Sequence, residues 1–197
     1  MASDAELLGA WRRGDEVAGS ALARRHFESI LQFFRTKAPA FAEDLTQETF
    51  LQLLRARDQI DALASFRAYL FGIARHRLLH HFRDSGRAHD KLAARGAEPE
   101  PGITSPSGNA RRDERRERLL AAMSHLELDL RLAIELTYWH GLSTAEVAAV
   151  IEVPAGTIKS RLRRAREQLR EQLHSQGLTQ QDTDTTMLQL VRPIAGD

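Results

Sequence analysis

Five arginines and one lysine lie within residues 159–170, together with a single acid, Glu167. The whole chain of 197 residues has 28 basic and 27 acidic side chains, so this cluster is a local segregation of charge. Guanidinium and ammonium groups bind phosphates and guanine edges, and Ser and Thr hydroxyls bind either. The cluster therefore predicts a surface that binds nucleic acid.

The segments around this cluster are typical of a helix-turn-helix. The stretch "STAEVAAVI" begins at Ser143 and has Glu146 three residues later, which is a capping box. The next stretch, "PAGTIKSRLRRAREQLREQL", begins at Pro154, a residue suited to the first turn of a helix. In a helix-turn-helix, the second helix lies in the major groove and its N-terminal half meets base edges.

The spacing of apolar residues predicts which face of the second helix is buried. The expected buried stripe, with a 4-3-4 spacing, is Ile158, Leu162, Ala165 and Leu169. The polar residues left outward or flanking, our candidates for DNA contact, are Thr157, Lys159, Ser160, Arg161, Arg163 and Arg164. The alternative is a solvated basic face stabilised by ion pairs such as Arg163 with Glu167. The capping box, the turn and the helix length together favour the DNA-binding interpretation.

A second cationic segment, residues 67–83, reads "RAYLFGIARHRLLHHFR" and contains four arginines, three histidines and no acid. Aromatic residues are interleaved with these cations, and this combination suits a separated strand whose bases stack and whose phosphates are neutralised. We expect Phe66, Leu70, Ile73 and Leu78 to be core. The candidates for contact with DNA are Arg67, Tyr69, Arg75, His76, Arg77 and Arg83.

A third segment, "DLTQETFLQLLRAR", predicts an amphipathic helix. Asp44 and Glu48 lie one turn apart on it, with Gln47 beside them. Such an acidic and polar stripe is a poor surface for DNA and a suitable partner for a basic helix.

The sequence gives no support for an enzyme, and we do not expect one. We recognise no catalytic triad, no glycine-rich phosphate loop and no pair of buried carboxylates. His76 and His80 have the spacing of metal ligands, but no third ligand is evident, so we predict neither a metal nor another cofactor. The absence of cysteine fits a reducing cytoplasm, and no apolar run reaches the roughly 18–20 residues that span a bilayer. We expect a cytoplasmic protein without membrane insertion.

The pattern along the chain predicts an all-α fold of two small helical domains joined by a flexible linker. Helix-forming residues dominate residues 1–84, whereas residues 85–110 contain Pro99, Pro101 and Pro106 and few large apolar residues. Such a linker buries too little apolar surface to offset the entropy of ordering it. We expect residues 111–174 to form the second domain, with the helix-turn-helix, and residues 175–197 to form a polar, mobile tail, with docking of "MLQLV" as the alternative.

Three of these segments, taken in order, resemble a known family. The stretches "AEDLTQETFLQLLRARDQ", "SFRAYLFGIARHRLLHHFR" and "LSTAEVAAVIEVPAGTIKSRLRRAREQL" are similar to regions two and four of the extracytoplasmic-function sigma factors, which belong to the sigma-seventy family of bacterial RNA polymerase. The resemblance covers roughly residues 20–84 and 111–174. It implies a subunit that directs promoter-specific initiation and leaves the chemistry to the polymerase.

The resemblance also implies roles for the segments. The clamp helices of core RNA polymerase would be bound by Asp44, Gln47 and Glu48. The polymerase flap would be a second site of contact with the sigma factor. The loop 58–65 and the helix 66–83 would open the minus-ten element and capture an unstacked base, which costs a few kcal/mol that stacking must offset. The helix from 154 to 173 would read the minus-thirty-five element as duplex DNA. The family also implies an anti-sigma partner.

The sequence departs from the family pattern at particular positions. His76 and His80 stand where Asn and Asp are frequent, and "HLELDLRLAIEL" lacks the usual Leu-Pro pair. Glu152 stands where Gly is common in the turn, and if that position requires a positive φ, Glu costs about 1–2 kcal/mol.

Two other classes of function remain open at this point. The chain would be a stand-alone DNA-binding regulator if only the C-terminal domain met DNA and the N-terminal domain served as a dimer or sensor module. It would be a protein-interaction adaptor if DNA binding were lost, in which case its affinity for nucleic acid would stay flat across a salt series.

Overall fold

All regular elements in the described part of the chain are helical, which confirms the predicted all-α fold. The computed structural model describes residues 2–57, 60, 65–84 and 110–191. The chain divides into two compact units, Met1–His81 and Phe82–Asp197. The predicted linker lies outside the described residues except for Ala110, and so does most of the loop 58–65.

The first unit contains four α-helices among its described residues. They are α1 (Asp4–Arg12), α2 (Glu16–Arg35), α3 (Ala42–Ala56), which follows a 3-10 turn at Pro39–Phe41, and α4 (Phe66–Asp84), whose last turn reaches beyond this unit. Local sequence sets where these helices begin. Asp15 caps α2 by accepting from the N–H groups of Val17 and Ala18. The Ser65 hydroxyl accepts from Ala68 N–H at 3.2 Å and caps α4, as the sequence predicts.

The core of the first unit is rich in phenylalanine. Phe33, Phe34 and Phe71 are almost fully buried, and Phe33 meets both of the other rings edge to face. The four residues of α4 that we predicted to be core are at most 6% exposed: Phe66, Leu70, Ile73 and Leu78. Burial of these side chains fixes the rotation of α4 and leaves its cationic residues at the edges and outside.

The second unit contains a helical bundle that includes the predicted helix-turn-helix. Its elements are α5 (Ala110–Ser124), α6 (Leu128–Ile134) with a π-helical turn at Glu135–Trp139, α7 (Thr144–Ile151), α8 (Ala155–Ser175), α9 (Gln180–Met187) and a 3-10 turn at Leu188–Val191. The segment after α6 ends before Gly141, which has a φ of +61°. A glycine there tolerates the left-handed conformation that stops a helix.

The C-terminal residues of the second unit belong to its core. Leu178, Met187 and Leu190 pack in the same buried cluster as Leu119 of α5 and Leu173 of α8. Thr183 and Thr186 of α9 are fully buried. The residues described beyond Ser175 therefore include a docked helix, and the expectation of a mobile tail is wrong for them because their apolar side chains complete the core. The alternative, docking of "MLQLV", is seen at Met187 and Leu190.

A buried ion pair lies inside α6 and its π-helical turn. Arg131 Nε lies 2.8 Å from Glu135 Oε1, and the Glu135 side chain is completely buried. Because an isolated charge in this position would be costly, each partner offsets the cost of burying the other. No helix in the described residues is long and apolar enough to cross a membrane.

Candidate nucleic-acid and polymerase interfaces

The turn between α7 and α8 has the geometry that the sequence predicts. Ser143 and Glu146 form the capping box: Ser143 N–H donates to Glu146 Oε2 at 2.7 Å, and Glu146 N–H donates to Ser143 Oγ at 3.3 Å. Pro154 occupies the N-cap of α8, one residue before the predicted first-turn position. The short helix, the turn and the long second helix thus form a helix-turn-helix.

Glu152 ends α7 in the left-handed conformation, with a φ of 63° and a ψ of 47°. It is the one residue other than glycine with positive φ in the described chain. The sequence raised this possibility because glycine is common at this position in the family. The backbone of the turn therefore carries strain that a glycine would relieve.

One face of α8 is buried, and it is the predicted face. Ile158, Ala165 and Leu169 are fully buried, and Leu162 packs partly buried against the same core. The N-terminal half of α8 therefore presents its opposite face to solvent.

The six DNA candidates on α8 fall into two groups. The exposed group is Lys159, Ser160, Arg163 and Arg164, and the half-buried group is Thr157 and Arg161. Arg161 Nη2 lies 2.9 Å from Asp129 Oδ2 in the first turn of α6. Arg164 Nη2 lies 3.4 Å from Glu127 Oε1, but its side chain remains 60% exposed. The cations are therefore not equivalent: Arg161 is fastened to the domain, whereas Arg164 projects from it.

On α4 the candidates for contact with DNA also differ in exposure. His76 and Arg83 are exposed, while Arg67, Tyr69, Arg75 and Arg77 are half-buried. Arg77 reaches the neighbouring helix α3, where its Nε–H donates to Gln52 Oε1 at 2.8 Å. Its Nη1 lies 3.8 Å from Glu48 Oε2. Arg77 thus links α4 to the helix that carries the predicted polymerase contacts.

The predicted polymerase-binding residues lie together on the outer surface of α3. Asp44, Gln47 and Glu48 are all exposed. Leu51 follows Asp44 by seven residues, which places it on the same face of the helix, and it is 45% exposed. Sequence reasoning missed this leucine because helical periodicity alone does not distinguish an outward apolar residue from a core one.

An aromatic pair extends the apolar part of this surface. Phe27 of α2 is 47% exposed and stacks on Phe50 of α3, with 5.8 Å between ring centroids. Leu54, one turn after Phe50, is 54% exposed. Exposed large apolar side chains that lie together are typical of a surface that binds another protein.

Comparison with known proteins decides the family. The family profile described as "Sigma-70 region 2" matches residues 21–88, and the one described as "Sigma-70, region 4" matches residues 116–169. The ECF RNA polymerase sigma factor SigC of Mycobacterium tuberculosis (strain CDC 1551 / Oshkosh) is 41% identical over 128 residues, which cover 65% of this chain and 68% of SigC. This chain belongs to the extracytoplasmic-function sigma factors of the sigma-70 family.

Other relatives cover more of this sigma factor. The ECF RNA polymerase sigma-E factor of Escherichia coli (strain K12) is 29% identical over 174 residues, covering 84% of this chain and 91% of the relative. The structure of CnrH in complex with the cytosolic domain of CnrY has a TM-score of 0.66 and 25% identity, covering 87% of this chain and 97% of that chain.

A second solved structure is similar. The sigma factor RpoE of Bartonella quintana, crystallised with the anti-sigma factor NepR, has a TM-score of 0.62 and 25% identity and covers 79% of this chain and 96% of that chain. The prediction of an extracytoplasmic-function sigma factor is thereby confirmed. The docked helix α9 lies beyond the region-four match, which ends at residue 169.

Proposed function

We propose that this sigma factor binds core RNA polymerase through α3, opens the minus-ten promoter element with α4 and reads the minus-thirty-five element with α8. The observation that carries this proposal is the placement of exposed cations on two helices, one from each matched sigma region, with a helix-turn-helix geometry around α8. In this role the chain supplies recognition, and the polymerase catalyses RNA synthesis in the cytoplasm.

The polymerase contact is assigned to the exposed face of α3. Asp44, Gln47 and Glu48 supply negative and polar groups, and Leu51 supplies apolar area at the same face. A basic, amphipathic pair of helices, such as the clamp helices, complements this combination of charge and apolar surface. The polymerase flap is the expected second contact and is assigned to the C-terminal domain.

The minus-ten contact is assigned to the outer surface of α4. Tyr69, half-buried on α4, offers an aromatic face on which an unstacked base can lie, and Arg75 and Arg83 offer positive charge to the backbone of the strand. His76 is exposed and can donate or accept a hydrogen bond at a base edge. Extruding a base costs a few kcal/mol, and these contacts offset that cost.

The minus-thirty-five contact is assigned to the exposed face of α8. Lys159, Ser160, Arg163 and Arg164 share that face, where Arg and Lys can bind guanine edges or phosphates. Thr157 and Arg161 flank it. Because Arg161 is held by Asp129, we assign it a supporting contact and assign direct reading to the exposed group.

An anti-sigma partner is also part of the proposal. The similar RpoE structure contains the anti-sigma factor NepR. An inhibitor that covers α3 or α8 would keep this sigma factor from polymerase or from the promoter.

Transcription with purified core polymerase tests the proposed function. The protein is overproduced, the transcripts that appear are sequenced and their start sites are aligned to give a promoter. Run-off transcription from that promoter should then depend on both core polymerase and this chain. A palindromic footprint formed without polymerase, and no promoter-dependent initiation, would instead support a stand-alone regulator.

A further inference from the structure

Glycine inside an α-helix destabilises it relative to alanine, because glycine loses more backbone freedom on folding. The described residues contain four such glycines: Gly9 in α1, Gly19 in α2, Gly72 in α4 and Gly156 in α8. Each of them therefore requires a physical reason for the absence of a side chain.

Internal packing explains Gly19. A Cβ added there would lie 2.4 Å from both Cδ1 and Nε1 of Trp11, and Trp11 is only 2% exposed. The buried indole needs the space that glycine leaves. At Gly9 the nearest neighbour of an added Cβ is Arg13 Nη1 at 3.4 Å, the mobile end of an exposed side chain.

Internal packing does not explain Gly72 or Gly156. Apart from its two chain neighbours and the nearby backbone of its own helix, a Cβ added at either position meets no atom of the described protein within 4 Å, and neither glycine has a positive φ. The folded protein would accept alanine at both positions and would be more stable with it.

Both glycines lie on the faces that the proposed function assigns to DNA. Gly72 follows Tyr69 by three residues and precedes His76 by four, so the three share one face of α4. Gly156 is exposed in the first turn of α8 and precedes Ser160 by four residues and Arg163 by seven. Gly9 and Gly19 lie on α1 and α2, to which the proposed function assigns no DNA contact.

We propose that Gly72 and Gly156 mark the points at which bound DNA approaches each helix so closely that a Cβ would collide with it. Gly156 admits the sugar-phosphate backbone or a base edge of the upstream duplex. Gly72 admits the separated strand beside Tyr69. This inference rests on the proposed function and adds two positions at which shape, and not charge, governs recognition.

Alanine substitutions test this inference in the reconstituted holoenzyme. The variants are Gly156→Ala and Gly72→Ala, and Gly9→Ala is the matched control. All three should raise the thermal unfolding midpoint by about 2–6 °C. Gly156→Ala should weaken binding to a labelled duplex that covers the minus-thirty-five element of the mapped promoter by about tenfold, equivalent to about 1.4 kcal/mol. Gly9→Ala should leave that binding unchanged.

A second measurement, of promoter opening, tests Gly72 separately from Gly156. Gly72→Ala should lower the permanganate reactivity of thymines in the opened minus-ten region by about tenfold, while binding to the upstream duplex is retained. If a Gly72 or Gly156 variant is stabilised and keeps wild-type DNA binding and opening, the inference is overturned at that position. A lowered unfolding midpoint would also overturn it, because the space would then serve the fold. If the wild-type holoenzyme itself shows no promoter binding, it is the proposed function that fails.

Discussion

Arg161 of α8 and Asp129 of α6 form an ion pair, with 2.9 Å between Arg161 Nη2 and Asp129 Oδ2. The pair joins the helix proposed to read DNA to a helix that supports it. Arg164, three residues later, faces Glu127 at 3.4 Å and is 60% exposed. Two arginines one turn apart therefore differ in their surroundings: Arg161 ties α8 to α6, whereas Arg164 is the one proposed to contact DNA.

We expect Arg164→Ala to reduce affinity for the minus-thirty-five duplex by about 5–10-fold, which corresponds to about 1–1.4 kcal/mol. Loss of an exposed guanidinium should change the unfolding free energy little. Titration of the holoenzyme across a salt series checks this, because loss of a phosphate contact also reduces the salt dependence of binding. Unchanged affinity with an unchanged salt slope would contradict the assignment of Arg164.

Arg161→Ala should instead act by lowering the free energy of unfolding. Because Arg161 and Asp129 are 22% and 34% exposed, respectively, we expect a coupling of about 1 kcal/mol between Arg161→Ala and Asp129→Asn in a double-mutant cycle of unfolding. The matched cycle of Arg164→Ala with Glu127→Gln should give about 0.2–0.5 kcal/mol, as for exposed pairs. Equal couplings in the two cycles would show that Arg161 is no more fixed than Arg164.

The double variant Asp44→Ala with Gln47→Ala should weaken binding to core polymerase by about tenfold or more, since side chains central to an interface often contribute over 1 kcal/mol. The affinity of the full chain for the upstream duplex should be retained. Glu28→Ala is the control, because Glu28 is an exposed acid of the neighbouring helix α2 and is not among the assigned polymerase contacts. Parallel loss of both activities would indicate misfolding and not a polymerase contact.

Glu152→Gly should raise the free energy of unfolding by about 1 kcal/mol, because glycine adopts a φ of 63° without the steric cost that Glu meets. Chemical denaturation gives this value. Glu152→Ala keeps the Cβ and should not reproduce the gain, so it separates backbone strain from loss of the Glu152 side chain. A stabilisation by alanine equal to that by glycine would show that strain is not the cause.

His26 should make the stability of the N-terminal unit depend on pH. Burial lowers the pKa of His26 from its ordinary value of 6.5, and the Asp4 carboxylate, 2.8 Å from Nε2, opposes that shift. Arg67 and Arg25 lower it further. Because the unfolded chain then binds a proton more readily than the folded one, stability is full above about pH 6.5 and is lost as the pH falls below it.

Urea unfolding between pH 7.5 and 5.5 measures this dependence. His26→Gln should flatten it, whereas His125→Gln, which changes an exposed residue, should not. A wild-type midpoint that rises on acidification would contradict the sign.

Local patterns in the sequence predicted the structure where neighbours along the chain decide it. The buried stripe of α8 and the capping box at Ser143 both follow from short-range spacing. The left-handed turn at Glu152 was raised only as a condition, because glycine is common at that position in the family. Contacts between distant residues were not predictable in this way. The partner of Arg161 lies 32 positions earlier, and pairing Arg77 with Gln52 requires the packing of α3 against α4.

The C-terminal segment shows the same limit for packing. Its helix, "QQDTDTTM", is polar up to its final residue, Met187, yet Thr183 and Thr186 are completely buried. Thr183 Oγ1 lies 3.5 Å from His174 Nδ1, whereas Thr186 Oγ1 has no hydrogen-bond partner among the described residues. Composition alone does not reveal which threonines a fold buries.

The involvement of α9 in the core also bears on how sigma factor modules are exchanged. A chimera that joins another protein to this one at the end of the region-four match, residue 169, would discard Leu173, Leu178, Met187 and Leu190. The graft would expose the apolar core residues against which these four side chains pack. A transplantable promoter-reading module from this chain must therefore carry its last described residues along with the helix-turn-helix.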